Sequence, residues 1–333
     1  MNNPILSDSS FVFILGRGRS GTSLLQTILN AHPHVSVAPE AQFILYLYRK
    51  YKHCNWTEKT IKQFASDIWL EQRLQNWNLD KDILHHTLLS NLNSNPTYSD
   101  LCSLVYYSYA LTQKKDKISV IGDKNPHYAL FGDLLAHIFP KAKFIFMIRD
   151  PRDTVLSYKN VDFDANNPAV LAHRWNIYNK AILKAYKKYS EQFIFLKFED
   201  LLENPEKQLK RISDFLLFDY DPKMLQFYKK DQEWNTEFRK NLSKPLDKNN
   251  MYKWKNKMPV QEQKIVGFIC RKLLKQFSYE PSLDNLSFKQ KIQCFTARIH
   301  AWILTGSEKI IFFLPPKIIA AIINIYRKYT NTY

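Results

Sequence analysis

Residues 11–32 read FVFILGRGRSGTSLLQTILNAH, and the folding of this stretch decides the architecture of the chain. Its first five residues, FVFIL, are continuously apolar, as strands buried on both faces of a parallel sheet are. Residues 16–23, GRGRSGTS, follow directly, and Leu24, Leu25, Ile28 and Leu29 then share one face of a helix that stops before Pro33. The order is strand, glycine loop, helix. Such a loop presents backbone N–H groups at a helix N-terminus, where the dipole favours a phosphate. Against the nucleotide-binding pattern G-x-x-x-x-G-K-[ST], Gly16, Gly21 and Ser23 match, and Thr22 stands in the lysine position. Arg17 and Arg19 supply the positive charge instead. With Gly18, Ser20, Gly21, Thr22 and Ser23 they form a candidate phosphate loop.

Outward from this core, VSV (35–37), ISVIG (118–122), KFIFMI (143–148) and FIFLKF (193–198) read as four more short strands. Pro151 and Pro205 each open a helix, the second carrying Leu209, Ile212, Phe215 and Leu216 on one face. Residues 56–115 lack strand alternation and read as helices with polar connections. Strands alternating with helices predict an α/β fold, a parallel sheet covered on both faces. Residues 239–257 are basic and turn-rich and read as a loop able to close over an anion. The last forty or so residues alternate basic and apolar blocks. Within them, 309–328 reads either as an amphipathic segment on an anionic membrane or as a helix packed on the catalytic domain or on a second subunit, with Pro315-Pro316 interrupting it.

The 333 residues contain 48 Lys and Arg against 31 Asp and Glu, a net charge of +17. Such an excess implies an anionic partner: nucleic acid, a phosphorylated cofactor, an acidic substrate or a membrane surface. A genome that favours lysine would produce the same excess. The arginines gather in loops at strand ends rather than along one stripe, which argues against a nucleic-acid binder. Cys54, Cys102, Cys270 and Cys294 form no CxxC pair and no metal-ligand spacing, so free thiols in a reducing, cytoplasmic setting are expected. MNNPILSDSSF has no secretory character, which makes the sequons at Asn55, Asn241 and Asn285 chance matches. No run of 18 apolar residues calls for a spanning helix.

GRGRSGTSLL resembles the 5′-phosphosulfate-binding loop of the sulfotransferases that use 3′-phosphoadenosine 5′-phosphosulfate (PAPS), and further segments agree in order. FIFMIRDPRDTVLSYKN (144–160) resembles the family's 3′-phosphate segment, in which an arginine closes a strand and a serine lies eight residues on; here they are Arg149 and Ser157, with Arg152 a weaker match. Arg149 also sits where ligands gather in open α/β sheets, and its planar fork suits a phosphate. NAHPHVSVAPEAQFI (30–44) looks most like the tyrosylprotein sulfotransferases and their bacterial relatives, whose catalytic glutamate matches Glu40. IGDKNPHYAL (121–130) resembles the family's Lys-[Asp/Asn]-Pro motif and matches Lys124. LKFEDLLENPEKQLKRISDFL (196–216) resembles a structural segment, with Phe198 where a tyrosine is frequent. LSKPLDKNNMYKWK (242–255) resembles the late segment that closes on the cofactor, with Ser243 and Lys244 as its ligands.

The resemblance implies the sulfotransferase variant of the P-loop nucleoside triphosphate hydrolase-like fold over residues 10–280. Within it, 45–115 is a helical insert lining the acceptor pocket, and 281–333 a helical C-terminal extension. It implies PAPS as donor, 3′-phosphoadenosine 5′-phosphate as product, and no metal. Glu40 becomes the general base, its pKa raised by a dry pocket. Lys124, assisted by Arg19, stabilises charge on the bridging oxygen. Asp123 and His127 are reserve bases, His32 and His34 serve a turn, and Trp175 and Trp254 are core. The rival readings are a P-loop kinase, disfavoured by Thr22, and a nucleic-acid-binding protein. The acceptor stays open among peptidyl tyrosine, glycan, lipid and small-molecule hydroxyls, as does a homodimer.

Overall fold

Five parallel strands form one sheet in the order β2–β3–β1–β4–β5 in the computed structural model, which describes residues 9–115, 117–159, 164–229, 242–281, 285–312 and 314–330. The strands are β1 (Ser10–Leu15), β2 (Val35–Ala38), β3 (Val120–Lys124), β4 (Lys143–Ile148) and β5 (Phe193–Lys197). Each coincides with an apolar run of the sequence. β3 starts two residues later than ISVIG and runs on to Lys124, because its pairing with β1 continues to Ile14.

The first half of the chain has helices α1 (Thr22–Asn30), α2 (Phe43–Tyr51), α3 (Glu58–Asp67), α4 (Lys81–Ser90), α5 (Tyr98–Thr112) and α6 (Gly132–Ile138). The second half adds α7 (Pro151–Tyr158), α8 (Pro168–Lys188), α9 (Phe198–Glu203), α10 (Pro205–Leu216), α11 (Trp254–Lys257), α12 (Val260–Gln276), α13 (Phe288–Ile311) and α14 (Pro316–Thr330). Local chemistry sets their starts. Thr57 and Thr97 close capping boxes on α3 and α5, while Asp150 and Asn167 cap α7 and α8 just ahead of a proline.

The period of two along each strand divides the core. Phe11, Phe13 and Leu15 join Phe144 and Phe146 on one face, under α2 to α6, α8 and α12. Val12 and Ile14 join Ile145 and Met147 on the other, with α1, α9 and α10. The helices of 45–115 pack on the first face; α5 lies over β2 and β3, where the Tyr106 hydroxyl donates to Asp123 at 2.5 Å. α13 lies along α8, burying Cys294, Ala297 and Ala301 against Ala169 and Val170. Residues 239–241 of the basic segment, and with them the Asn241 sequon, lie outside the described residues. The rest of that segment forms a short 3-10 turn at Lys248–Asn250 and then α11. Among the described residues, no helix is long and apolar enough to cross a membrane.

Candidate active site

β1 is the middle strand, with β3 on one side and β4 on the other, so the chain order reverses at its carboxyl end. That edge collects the chemistry. Lys124 ends β3 opposite Ile14, Glu40 lies two residues past Ala38, which pairs with Asp123, and Arg149 follows β4 directly. The phosphate loop leaves β1 between them.

The loop is held open by absent side chains. A Cβ on Gly16 would lie 2.6 Å from the Met147 carbonyl oxygen, and one on Gly18 would lie 2.3 Å from the Tyr158 hydroxyl. Gly21 caps α1 with φ +93°, and a Cβ there would strike Phe198 at 2.3 Å. Thr22 is buried at the start of α1. Ser20 is fully buried, and its Oγ has no hydrogen-bond partner.

The two loop arginines diverge. Arg17 turns inward, against the expectation that it faces the ligand. Its guanidinium pairs with Asp164 and lies over the rings of Tyr158 (4.6 Å) and Tyr178 (4.5 Å). Asp164 also holds Arg174, which in turn pairs with Glu308 of α13. Arg17 is thus part of a buried ion network that anchors the loop, and a charge so matched has little field left for a phosphate.

Arg19 instead stays at the site, in the left-handed region at φ 64°, and its Nε–H donates to Ser157 Oγ at 3.0 Å. Arg149 donates to the Arg19 carbonyl oxygen at 3.2 Å and to the Asn250 carbonyl oxygen at 2.7 Å. Burial and the Arg149 cation, opposed by Tyr158, lower the Arg19 pKa. Two like charges brought together beside a helix N-terminus are stabilised by an anion. Arg149 Nε is buried with no hydrogen-bond partner. The guanidinium lies 4.4 Å over the Phe198 ring, which occupies the frequent tyrosine position as an apolar platform. Trp175 Nε1–H donates to the Arg149 carbonyl oxygen at 3.1 Å and so fixes the backbone.

Arg152, the weaker match, is a clamp: it pairs with Asp150 at 2.7 Å and lies 3.6 Å over Trp254. Ser243 and Lys244 stand exposed ahead of the Lys248–Asn250 turn, and the described contact from this segment to Arg149 comes from Asn250.

Glu40 pairs with Lys124 through one oxygen and with Arg73 Nη1 at 3.1 Å through the other. Burial alone would raise its pKa, but the fields of Lys124 and Arg73, and the Lys124 hydrogen bond, hold it down to about 2. The expected upward shift is therefore reversed: two cations at contact outweigh desolvation. Arg73 comes from the 3-10 stretch Gln72–Trp77 within the insert, and nothing in its sequence neighbourhood marks it. Burial first lowers the His127 pKa, opposed by Glu308 and Glu40 and reinforced by Arg73 and Arg17.

Asp123, behind Lys124 and fully buried, behaves oppositely to Glu40. Burial first, opposed by the Tyr106 hydrogen bond and reinforced by the Glu40 charge, pushes it up to about 8. It is protonated when folded at neutral pH and ionises near 3.8 when unfolded, so its contribution to stability falls as pH rises between those values. Asp123→Asn is expected to flatten the decline in melting temperature from pH 6 to pH 8.5. An unchanged slope would mean that Asp123 is ionised in the fold.

A family model described as the sulfotransferase family matches residues 11–222. The chain is 25% identical over 287 residues to protein-tyrosine sulfotransferase A of Caenorhabditis elegans, covering 83% of this chain and 69% of that one. It is 22% identical over 306 residues to the nodulation protein NoeE of Sinorhizobium fredii, covering 82% and 67%. The solved sulfotransferase domain of the Synechococcus PCC 7002 olefin synthase aligns with a TM-score of 0.58 at 22% identity, over 84% of this chain and 98% of that domain, and so shares the fold.

Proposed function

This chain belongs to the sulfotransferase family, and from that premise we propose that it moves a sulfuryl group from PAPS to an acceptor hydroxyl. The observation that supports this most is the pairing of Glu40 with Lys124 on the sheet edge that also carries the Arg19, Ser157 and Arg149 cluster. A base, a cation and an anion cradle on one edge are the parts that transfer of a charged group requires. The residues suit such a donor: the buried Ser20 Oγ and Arg149 Nε lack partners, and the glycine loop leaves room that any Cβ would fill. When bound, PAPS supplies the sulfuryl group.

The loop N–H groups and Arg19 hold its 5′ end, and Arg149 and Ser157 its 3′-phosphate. Ser243 and Lys244 sit on the segment that would close over it. Glu40 accepts the acceptor hydroxyl's proton, and Lys124 faces the negative charge that develops on the leaving oxygen. These two roles are linked. Lys124 turned towards an anionic donor no longer holds Glu40 down, so Glu40 becomes a stronger base when it is needed. Arg73 keeps the carboxylate oriented. The protein-tyrosine sulfotransferase relatives make a polypeptide tyrosine the first acceptor to test, with glycan, lipid and small-molecule hydroxyls as comparators.

The test is calorimetric titration with 3′-phosphoadenosine 5′-phosphate, with ATP as control. Micromolar binding of the bisphosphate and much weaker binding of ATP are expected. Arg149→Ala removes charge-assisted hydrogen bonds of about 1.5–3 kcal/mol and should weaken the bisphosphate by roughly 10–100-fold. ATP binding as tight as the bisphosphate would sink the reading.

A further inference from the structure

α13 has two faces of opposite character. The inner one carries Cys294, Ala297, Ala301 and Thr305, all buried, and ends at Glu308, paired with Arg174 and hydrogen-bonded by Tyr178. The outer one carries Phe288, Ile292, Phe295, Ile299 and Trp302, all exposed, with Phe288 at 79% and Trp302 at 74%. Their spacing alternates four and three residues, so on a helix of 3.6 residues per turn they make one continuous stripe. Ile303 and Ile310 widen it. On α14, Ile318, Ile322 and Ile325 are exposed as well. Contiguous exposed apolar surface of this extent marks an interface.

The charge around the stripe selects its occupant. Lys291 and Arg298 run along one edge and Lys289 along the other, all exposed. The only acidic residue of α13, Glu308, is turned inward to Arg174. A second copy laid stripe on stripe about a two-fold axis would set these basic edges against each other with no carboxylate of α13 between them. A bilayer bearing anionic lipids matches both features. The apolar stripe enters the acyl boundary, Trp302 sits at the interface, and the basic edges meet the headgroups.

We propose that the outer face of α13 seats this protein on an anionic membrane surface. A membrane-lying segment at 309–328 is one of two readings of the sequence; the exposed stripe lies mostly before it, at 288–310. The proposal is independent of the sulfotransferase reading.

Vesicle cosedimentation of the full chain tests it, with phosphatidylcholine alone and with phosphatidylcholine mixed equally with phosphatidylglycerol. The bound fraction should favour the mixed vesicles by about tenfold or more and fall with added salt. Phe295→Ser with Trp302→Ser should abolish binding while the thermal melt is retained. Lys291→Glu with Arg298→Glu should remove the preference for the anionic vesicles, with the thermal melt retained. No binding to mixed vesicles, or binding indifferent to both pairs of substitutions, would overturn it. So would a sedimentation-equilibrium dimer dissociated by Phe295→Ser with Trp302→Ser in a protein that ignores vesicles, which would put a second copy on the stripe.

Discussion

Glu40→Gln is expected to lower the first-order rate of sulfuryl transfer by about 10²–10⁴-fold, the range a positioned general base supplies. Glutamine keeps the shape and can still accept a hydrogen bond from Lys124, but cannot take the hydroxyl proton. Binding of 3′-phosphoadenosine 5′-phosphate should survive or tighten, because Lys124 and Arg73 lose their shared counter-charge. Single-turnover kinetics beside calorimetry separates the two effects. A rate within about tenfold of the parent would remove Glu40 as base and move attention to His127 and Asp123.

The carboxylate's depressed pKa, about 2 against an ordinary 4.5, also sets a pH window. Its ionised form stabilises the fold above about pH 4.5, and that contribution is lost as pH falls through 2. An acid limb of kcat/KM above pH 5 would therefore belong to another group of the unliganded protein.

Lys124→Met is expected to cost about 10²–10³-fold in kcat, the scale of removing one preorganised charge from a site where negative charge develops. Methionine keeps much of the lysine stem's bulk, so packing beside β1 is conserved. The substitution also removes the strongest cation acting on Glu40, so the carboxylate pKa should rise. Loss of a partner from this largely buried pair should lower stability by about 1–3 kcal/mol, moderated because Arg73 still faces Glu40. Lys124→Arg should recover part of kcat. Rates are compared after thermal melts confirm folding, and a kcat for Lys124→Met within about tenfold of the parent would show that Lys124 is not the stabilising cation.

Much of this site is legible in the chain because parallel strands buried on both faces leave short apolar runs, and a ligand edge forms wherever such runs end. FVFIL, KFIFMI and FIFLKF coincide with β1, β4 and β5. The loop and Arg149 then fall at the carboxyl edge without further information. Family resemblance singled out Glu40 and Lys124, and the two meet in an ion pair. The fates of Arg17 and Arg19, two residues apart in one loop, were not legible. One meets Asp164 and Tyr178 in the interior, and the other stays with Ser157 and Arg149. Their identical chemistry differs only in what lies opposite, and those partners arrive from 130 or more positions away.

By itself the sequence determined the order of the five strands along the chain, the parallel sheet and the strand, glycine loop and helix that open the fold. These follow from periodicity and turn residues, which act over a few positions of chain. Only the tertiary structure decided that Arg73 of the insert joins Glu40, that Glu40 is pulled down to about 2 while Asp123 is pushed up to about 8, and that α13 buries its small residues and leaves its aromatic stripe outside. The physical reason is range. Local conformation depends on neighbours in sequence, whereas charge and desolvation act across a few ångströms of space and depend on whichever distant segments the fold brings there.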